Sequence, residues 1–306
     1  MRTLLRLAGA FGCAATIVTA GCSSSSSVAT LPVPATAEQS EPAQPQQHII
    51  HYMGTRAMPP PLPTGITFVY GGGPVLVKPK IYLIFWGFKT YGDPDKVKPL
   101  LKDYAKHIGG SGYDNIYTQY YETSGGKKAD IKNPGSQFGG AWEDDTDPVP
   151  ANPTDAQVEA EASAGVKHFG FNPNGSYVVA TPHDHSTQGF GSSFCAYHSY
   201  ALNNGKAISY TNLPYQPDVG GLCGANDISP PADEPGVDEG ITIVEGHEYG
   251  ESITDPEPHS GWTYQLYTEI GDYCAWYDVQ NDPFGDKSYT AQPMYSNASQ
   301  SCVHSY

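Results

Sequence analysis

The chain reads as a single α/β domain, a central β-sheet flanked by helices and joined by long loops, behind a leader and a polar tether. Three observations predict it. Short β-branched and aromatic runs at 81–86, 176–181 and 207–211 alternate with segments of helical period. Four cysteines follow the leader, an even number suited to two disulfides. The connections are long and contain many of the 34 glycines and 27 prolines of the 306 residues, which favours surface loops.

Residues 1–22 have the form of an export signal. Arg2 and Arg6 make a short basic start, and the apolar run over 7–20 is too short for a membrane span. Thr19-Ala20-Gly21-Cys22 resembles a bacterial lipobox, which makes Cys22 the candidate for lipidation, with plain cleavage and secretion as the alternative. Residues 23–63 read as a disordered tether rich in Ser, Pro, Ala and Gln, too poor in large apolar side chains to offset the entropy of ordering. The folded domain is expected over 64–306.

Without the leader the chain carries 14 basic and 32 acidic side chains, a net charge near −18. This excludes nucleic acid and anionic lipid as partners and limits membrane contact to an N-terminal lipid anchor. It favours cationic ligands and divalent metals. Cys195, Cys223, Cys274 and Cys302 can pair in three ways. Nearest-neighbour pairing, Cys195 with Cys223 and Cys274 with Cys302, closes the shortest loops.

Within the domain, 81–86 is short, apolar and bounded by Pro79 and Gly87, as a buried central strand should be. Val97, Leu100, Leu101, Tyr104, Ala105 and Ile108 follow a helical period that Gly109-Gly110 ends. Thr154 and Gln157 form a capping box at the head of a second helix reaching about residue 164. Strands follow at 176–181 and 207–211. A third helix, about 238–254, stops before Pro256.

That third helix carries Glu245-Gly246-His247-Glu248-Tyr249-Gly250-Glu251, a His-Glu-x-x-Glu pattern one residue type away from the His-Glu-x-x-His of zinc hydrolases. Residues four apart share a helix face, so His247 and Glu251 can address one ion while Glu248 acts as base toward a water held there. Glu269, 22 residues beyond His247, is the expected third ligand and Asp272 the alternative. Asp255, two turns along, is the expected partner of the histidine's other nitrogen. One imidazole with two carboxylates is harder and more anionic than two imidazoles with one, so Zn2+ is the expected ion but is bound less selectively, which leaves Ca2+ or Mn2+ open. Tyr249 is a candidate for steadying a developing oxyanion. His183 and His185, alternate residues after a strand, form a second candidate metal pair, against the commoner alternative of a polar loop. His198 and His259 read as ordinary residues.

These segments also resemble a family. Residues 69–76, Val-Tyr-Gly-Gly-Gly-Pro-Val-Leu, with 81–87, are similar to the opening of the phosphate-induced, exordium-like secreted proteins. Tyr177-Val178-Val179 and Phe194-Cys195-Ala196-Tyr197-His198 are similar to its middle segments. His247 to Pro256, Gly261-Trp262 and Glu269 to Cys274 resemble the HE-x-x-E-x-x-TDP, GW and EIGDxC motifs of the family's bacterial branch. The resemblance implies a secreted or cell-surface protein with a metallopeptidase-like site. Two functions are therefore expected. The first is a zinc-dependent hydrolase, a peptidase by preference, acting on peptide or cell-wall polymer. The second is a non-catalytic surface protein whose site holds a structural ion or none.

Overall fold

The computed structural model describes residues 50–56 and 65–306. The leader, Cys22 and most of the tether lie outside the described residues. Six strands form one mixed sheet: His51–Gly54 (β1), Lys80–Trp86 (β2), Phe138–Asp144 (β3), Gly175–Ala180 (β4), Phe194–Asn203 (β5) and Lys206–Leu213 (β6). Their spatial order is β1-β5-β6-β4-β2-β3. β2 runs parallel to β3 and β4, and β4 parallel to β6; β5 and then β1 are added antiparallel at the far edge.

Three helices cover the sheet: Val97–His107 (α1), Asp155–Phe169 (α2) and Glu239–Thr254 (α3). Alternation along β2 divides the core in two. Ile84 and Trp86 pack beneath α2 with Val179 and Tyr210, whereas Leu83 and Phe85 face α1 and α3 with Val178 and Ala180. The capping box at α2 forms: the Thr154 hydroxyl accepts from the Gln157 N–H at 3.3 Å, and the Gln157 side-chain Oε1 accepts from the Thr154 N–H at 2.9 Å. β3 and β5 have no counterpart among the strands expected from sequence. Gly139-Gly140 interrupts one, and His198-Ser199-Tyr200 makes the other look polar although it is buried almost throughout.

The expectation of disorder over 23–63 fails at residues 50–56. There β1 adds to the edge of β5, burying Met53, and Arg56 pairs with Asp227. This end of the segment carries Ile50, Tyr52 and Met53, and the edge of β5 supplies its backbone hydrogen bonds.

α3 determines the site. Every residue along it is buried, with the sheet on one side and tyrosines on another. Gly246 allows that approach, since a Cβ there would stand 3.0 Å from the Tyr104 hydroxyl. A hairpin of Gln280–Phe284 and Lys287–Ala291 is tied to the helix by the Thr242 hydroxyl, which donates to the Thr290 carbonyl at 2.8 Å. The cysteines pair Cys195–Cys223 and Cys274–Cys302, with Cα separations of 5.6 and 5.8 Å. The first bridge joins β5 to the segment before α3. The second ties the 269–274 segment to the C-terminus.

Candidate metal centre

His247 and Glu251 lie one turn apart on α3, and the Glu251 Oε2 is 3.2 Å from the His247 Nε2. The 269–272 segment closes over them. The Asp272 Oδ1 is 3.6 Å from the same nitrogen, and the Asp272 N–H donates to the Glu251 Oε1 at 2.9 Å. Gly271 lies against the imidazole so closely that a Cβ would stand 3.0 Å from His247 Nδ1.

The second imidazole comes from the sheet. His198, on β5, turns its Nδ1 toward Glu248 Oε2 at 3.2 Å and Glu251 Oε2 at 3.6 Å, and its Nε2 lies 3.6 Å from Glu269 Oε2. The donor atoms of His198, Glu248 and Glu251 lie within 4.8 Å of one another, as do those of His247, Glu251 and Asp272, so Glu251 belongs to both sets. All these side chains are buried except Asp272, which is 20% exposed.

Sequence reasoning missed His198, and its signal was the strand. Ala196 and Tyr200 flank it at the two-residue spacing that points toward α3, so a histidine in that phase enters the core. Glu269 and Asp272, posed as alternatives, are both present, one beside each imidazole. Glu248 is not an unencumbered base, because one of its oxygens faces His198. Asp255 does not reach the far nitrogen of His247. Its carboxylate accepts from the N–H groups of His259, Ser260 and Gly261 at 2.7, 3.0 and 2.6 Å, and its carbonyl lies 3.2 Å from His198 Nε2. Three backbone donors in the turn after α3 hold the carboxylate there. Tyr249 sits on the other side of the helix, its hydroxyl donating to Gln137.

The second histidine pair does not converge. Asp184 takes a left-handed backbone, φ 61°, which breaks the alternation that would have put both rings on one side. His183 pairs with Asp218 and Asp184, and His185 lies against the Tyr91 ring with centroids 4.0 Å apart. Among the aromatic residues, Trp262 and Trp276 are core residues and Trp142 stacks on His168.

The electrostatics fit a cation. Four carboxylates (Glu248, Glu251, Glu269 and Asp272) surround two imidazoles in a buried volume, where unneutralised charge is costly. Burial pulls the His247 pKa down, but Glu251, Glu248 and Asp272 outweigh it and lift it to about 10. Burial raises Glu248, and burial with Glu251 and Asp255 nearby carries Glu269 well above the usual carboxylate range. Neither ring nitrogen of His247 makes a hydrogen bond within the described residues, and Glu248 Oε1 has no partner there. Buried polar atoms in that state, two nitrogens among carboxylate oxygens, fit a borderline divalent ion.

Fold and site together define an α/β protein with a buried histidine–carboxylate cluster between a sheet strand and a central helix. No family model matches the chain, and no solved structure matches it. Protein EXORDIUM-like 5 of Arabidopsis thaliana is similar, 30% identical over 141 residues that cover 39% of this chain. The match spans 37% of that relative's length. It supports an exordium-like resemblance over part of the chain, and the two disulfides accord with an oxidising, exported location.

Proposed function

We propose that this chain is an exported, exordium-like metal-binding protein of the family's bacterial branch, held at the cell envelope by a lipid on Cys22. His247, Glu251 and Asp272 would hold the ion, with His198 and Glu269 completing the donors, and zinc matches the set best. The observation that carries this reading is His198. It supplies the second imidazole that His-Glu-x-x-Glu lacks, 3.6 Å from the shared Glu251. A bound divalent cation would offset the repulsion among the carboxylates and, in a hydrolase, polarise a carbonyl.

Enclosure bears on what the ion does. A hydrolase needs an open position beside its base, whereas Glu248 is 0% exposed and faces His198. The reading supported best is a structural ion that fastens β5, α3 and the 269–272 segment together. The loops would then bind a partner, a cell-wall polymer being the class expected outside a cell. A second reading, a zinc-dependent peptidase, draws on Glu248 Oε1 and on the partly exposed Asp272 at the rim. In it Glu248 takes a proton from the attacking water.

Glu248→Gln separates the two. A structural ion predicts no peptide hydrolysis by either protein, and a melting temperature that falls on chelation in both. Zinc-dependent peptide cleavage by the parent, lost in a Glu248→Gln protein that keeps its metal, would overturn the structural reading in favour of the peptidase.

A further inference from the structure

A buried row of hydroxyls runs from the cluster to a surface cleft. β5 and β6 pair so that His198 opposes Thr211 and Tyr200 opposes Ser209; β4 and β6 pair so that Ser176 opposes Ser209 and Val178 opposes Thr211. Residues directly opposite share a face of the sheet. His198 and Val178 both face α3, the first through Glu248 and the second through the core. Ser176, Ser209 and Thr211 therefore face the helix too. Opposite them Glu248 and Ser252 lie one turn apart, on one side of α3.

Each of these hydroxyls is buried. The oxygens of Ser176, Ser209, Thr211 and Ser252, together with Glu248 Oε1, find no hydrogen-bond partner among the described residues. A buried polar group left dry is costly, so a row of them on two facing elements is not a packing accident. Polar walls of this kind hold water wherever a water-sized space opens between them. The row also has an outlet. Ser209 lines a cleft of about 200 Å³ formed with Ala207, Lys206, Leu76, Pro256 and Glu257. Thr211 lies two residues further along the strand, about 7 Å inward, opposite His198.

We propose that the layer between β6 and α3 is a hydrated passage running from this cleft, past Ser209 and Thr211, to Glu248, and that a divalent cation reaches the buried cluster along it. The cation half rests on the metal-binding reading above; the water half does not. Hydroxyl oxygens and the Glu257 carboxylate at the mouth can replace a cation's hydration shell stepwise. Passage through the apolar core on the α2 side would strip that shell with nothing in exchange.

The test uses Thr211→Val, which replaces one hydroxyl by a methyl deep in the layer, and Ala207→Phe, which narrows the mouth and leaves the layer intact. Zinc loss to an excess of chelator is timed for each, and zinc affinity is measured at equilibrium. The expected result is release at least tenfold slower in both variants at unchanged affinity, with ordered waters on Ser209, Thr211 and Ser176 in a high-resolution crystal structure of the parent. Parent release rates in both variants would overturn the cation route. A crystal structure in which the three hydroxyls bond only to protein would overturn the passage itself. A parent that binds no zinc while showing those waters would sink the metal-binding reading and the cation route, and leave the hydrated layer standing.

Discussion

Gly271 offers the sharpest single perturbation of the centre. Its φ is −79°, ordinary for any residue, so alanine there carries no backbone penalty. The added Cβ would stand 2.8 Å from Glu251 Oε1, 3.0 Å from His247 Nδ1 and 3.2 Å from His247 Cε1. Contacts that short force a shift, and the atoms that must move belong to two proposed ligands. Overpacking of a core costs about 1–3 kcal/mol. For a domain of this size that lowers the melting temperature by about 2–12 °C. Displacing ligand supports typically weakens a metal site about 10–100-fold. Gly271→Ala should therefore lose both stability and zinc affinity on these scales, read by thermal melts and competition titration. The control is Gly221→Ala, where a Cβ meets nothing within 4 Å and the backbone is not left-handed. Parent-like zinc affinity in Gly271→Ala, or an equal loss in Gly221→Ala, would show that Gly271 does not hold the two side chains in place.

Glu251→Gln keeps the shape but removes the charge that both imidazoles face. Metal binding should weaken by about 3 kcal/mol or more, and the His247 pKa in the metal-free protein should drop from about 10 toward 6.5, read by NMR titration. An unmoved His247 would contradict the assignment of its partner. The metal-free protein should also lose stability as pH rises. His247 binds its proton more tightly folded than unfolded, so that contribution is complete below about pH 6.5 and gone above about 10. Zinc affinity should run the other way, rising about tenfold per pH unit for each proton displaced from the cluster, and a flat profile between about pH 6 and 8 would count against it. Replacing Cys274 and Cys302 by serine should cost about 3.5 kcal/mol, because the bridge closes a span of 28 residues, and chemical denaturation reads it directly.

Much of this architecture is legible in the chain because local signals and burial agree. The β2 run 81–86 is apolar on both faces and packs on both. The Thr154–Gln157 box starts α2 where its pattern says it should, and Pro256 follows directly on the end of α3. The site is half legible. His247, Glu248 and Glu251 share a helix, so their relation is local, and Glu269 and Asp272 announce themselves by their spacing. His198 is invisible to that logic, since 50 residues and a sheet register separate it from Glu248. Asp255 and Tyr249 illustrate the opposite limit. Spacing placed them near the cluster, but backbone donors of the following turn took the first and helix phase turned the second away. His183 and His185 failed on one backbone angle, the left-handed Asp184, which no periodicity reveals.

Every function proposed for the cluster depends on these residues holding an ion. Elemental mass spectrometry on the mature protein, purified without added metal, tests it most directly when run beside His247→Ala and His198→Ala. About one zinc per chain in the parent and none in either variant is the predicted result. No metal in the parent, with none taken up on titration with zinc, manganese or calcium, would contradict the account.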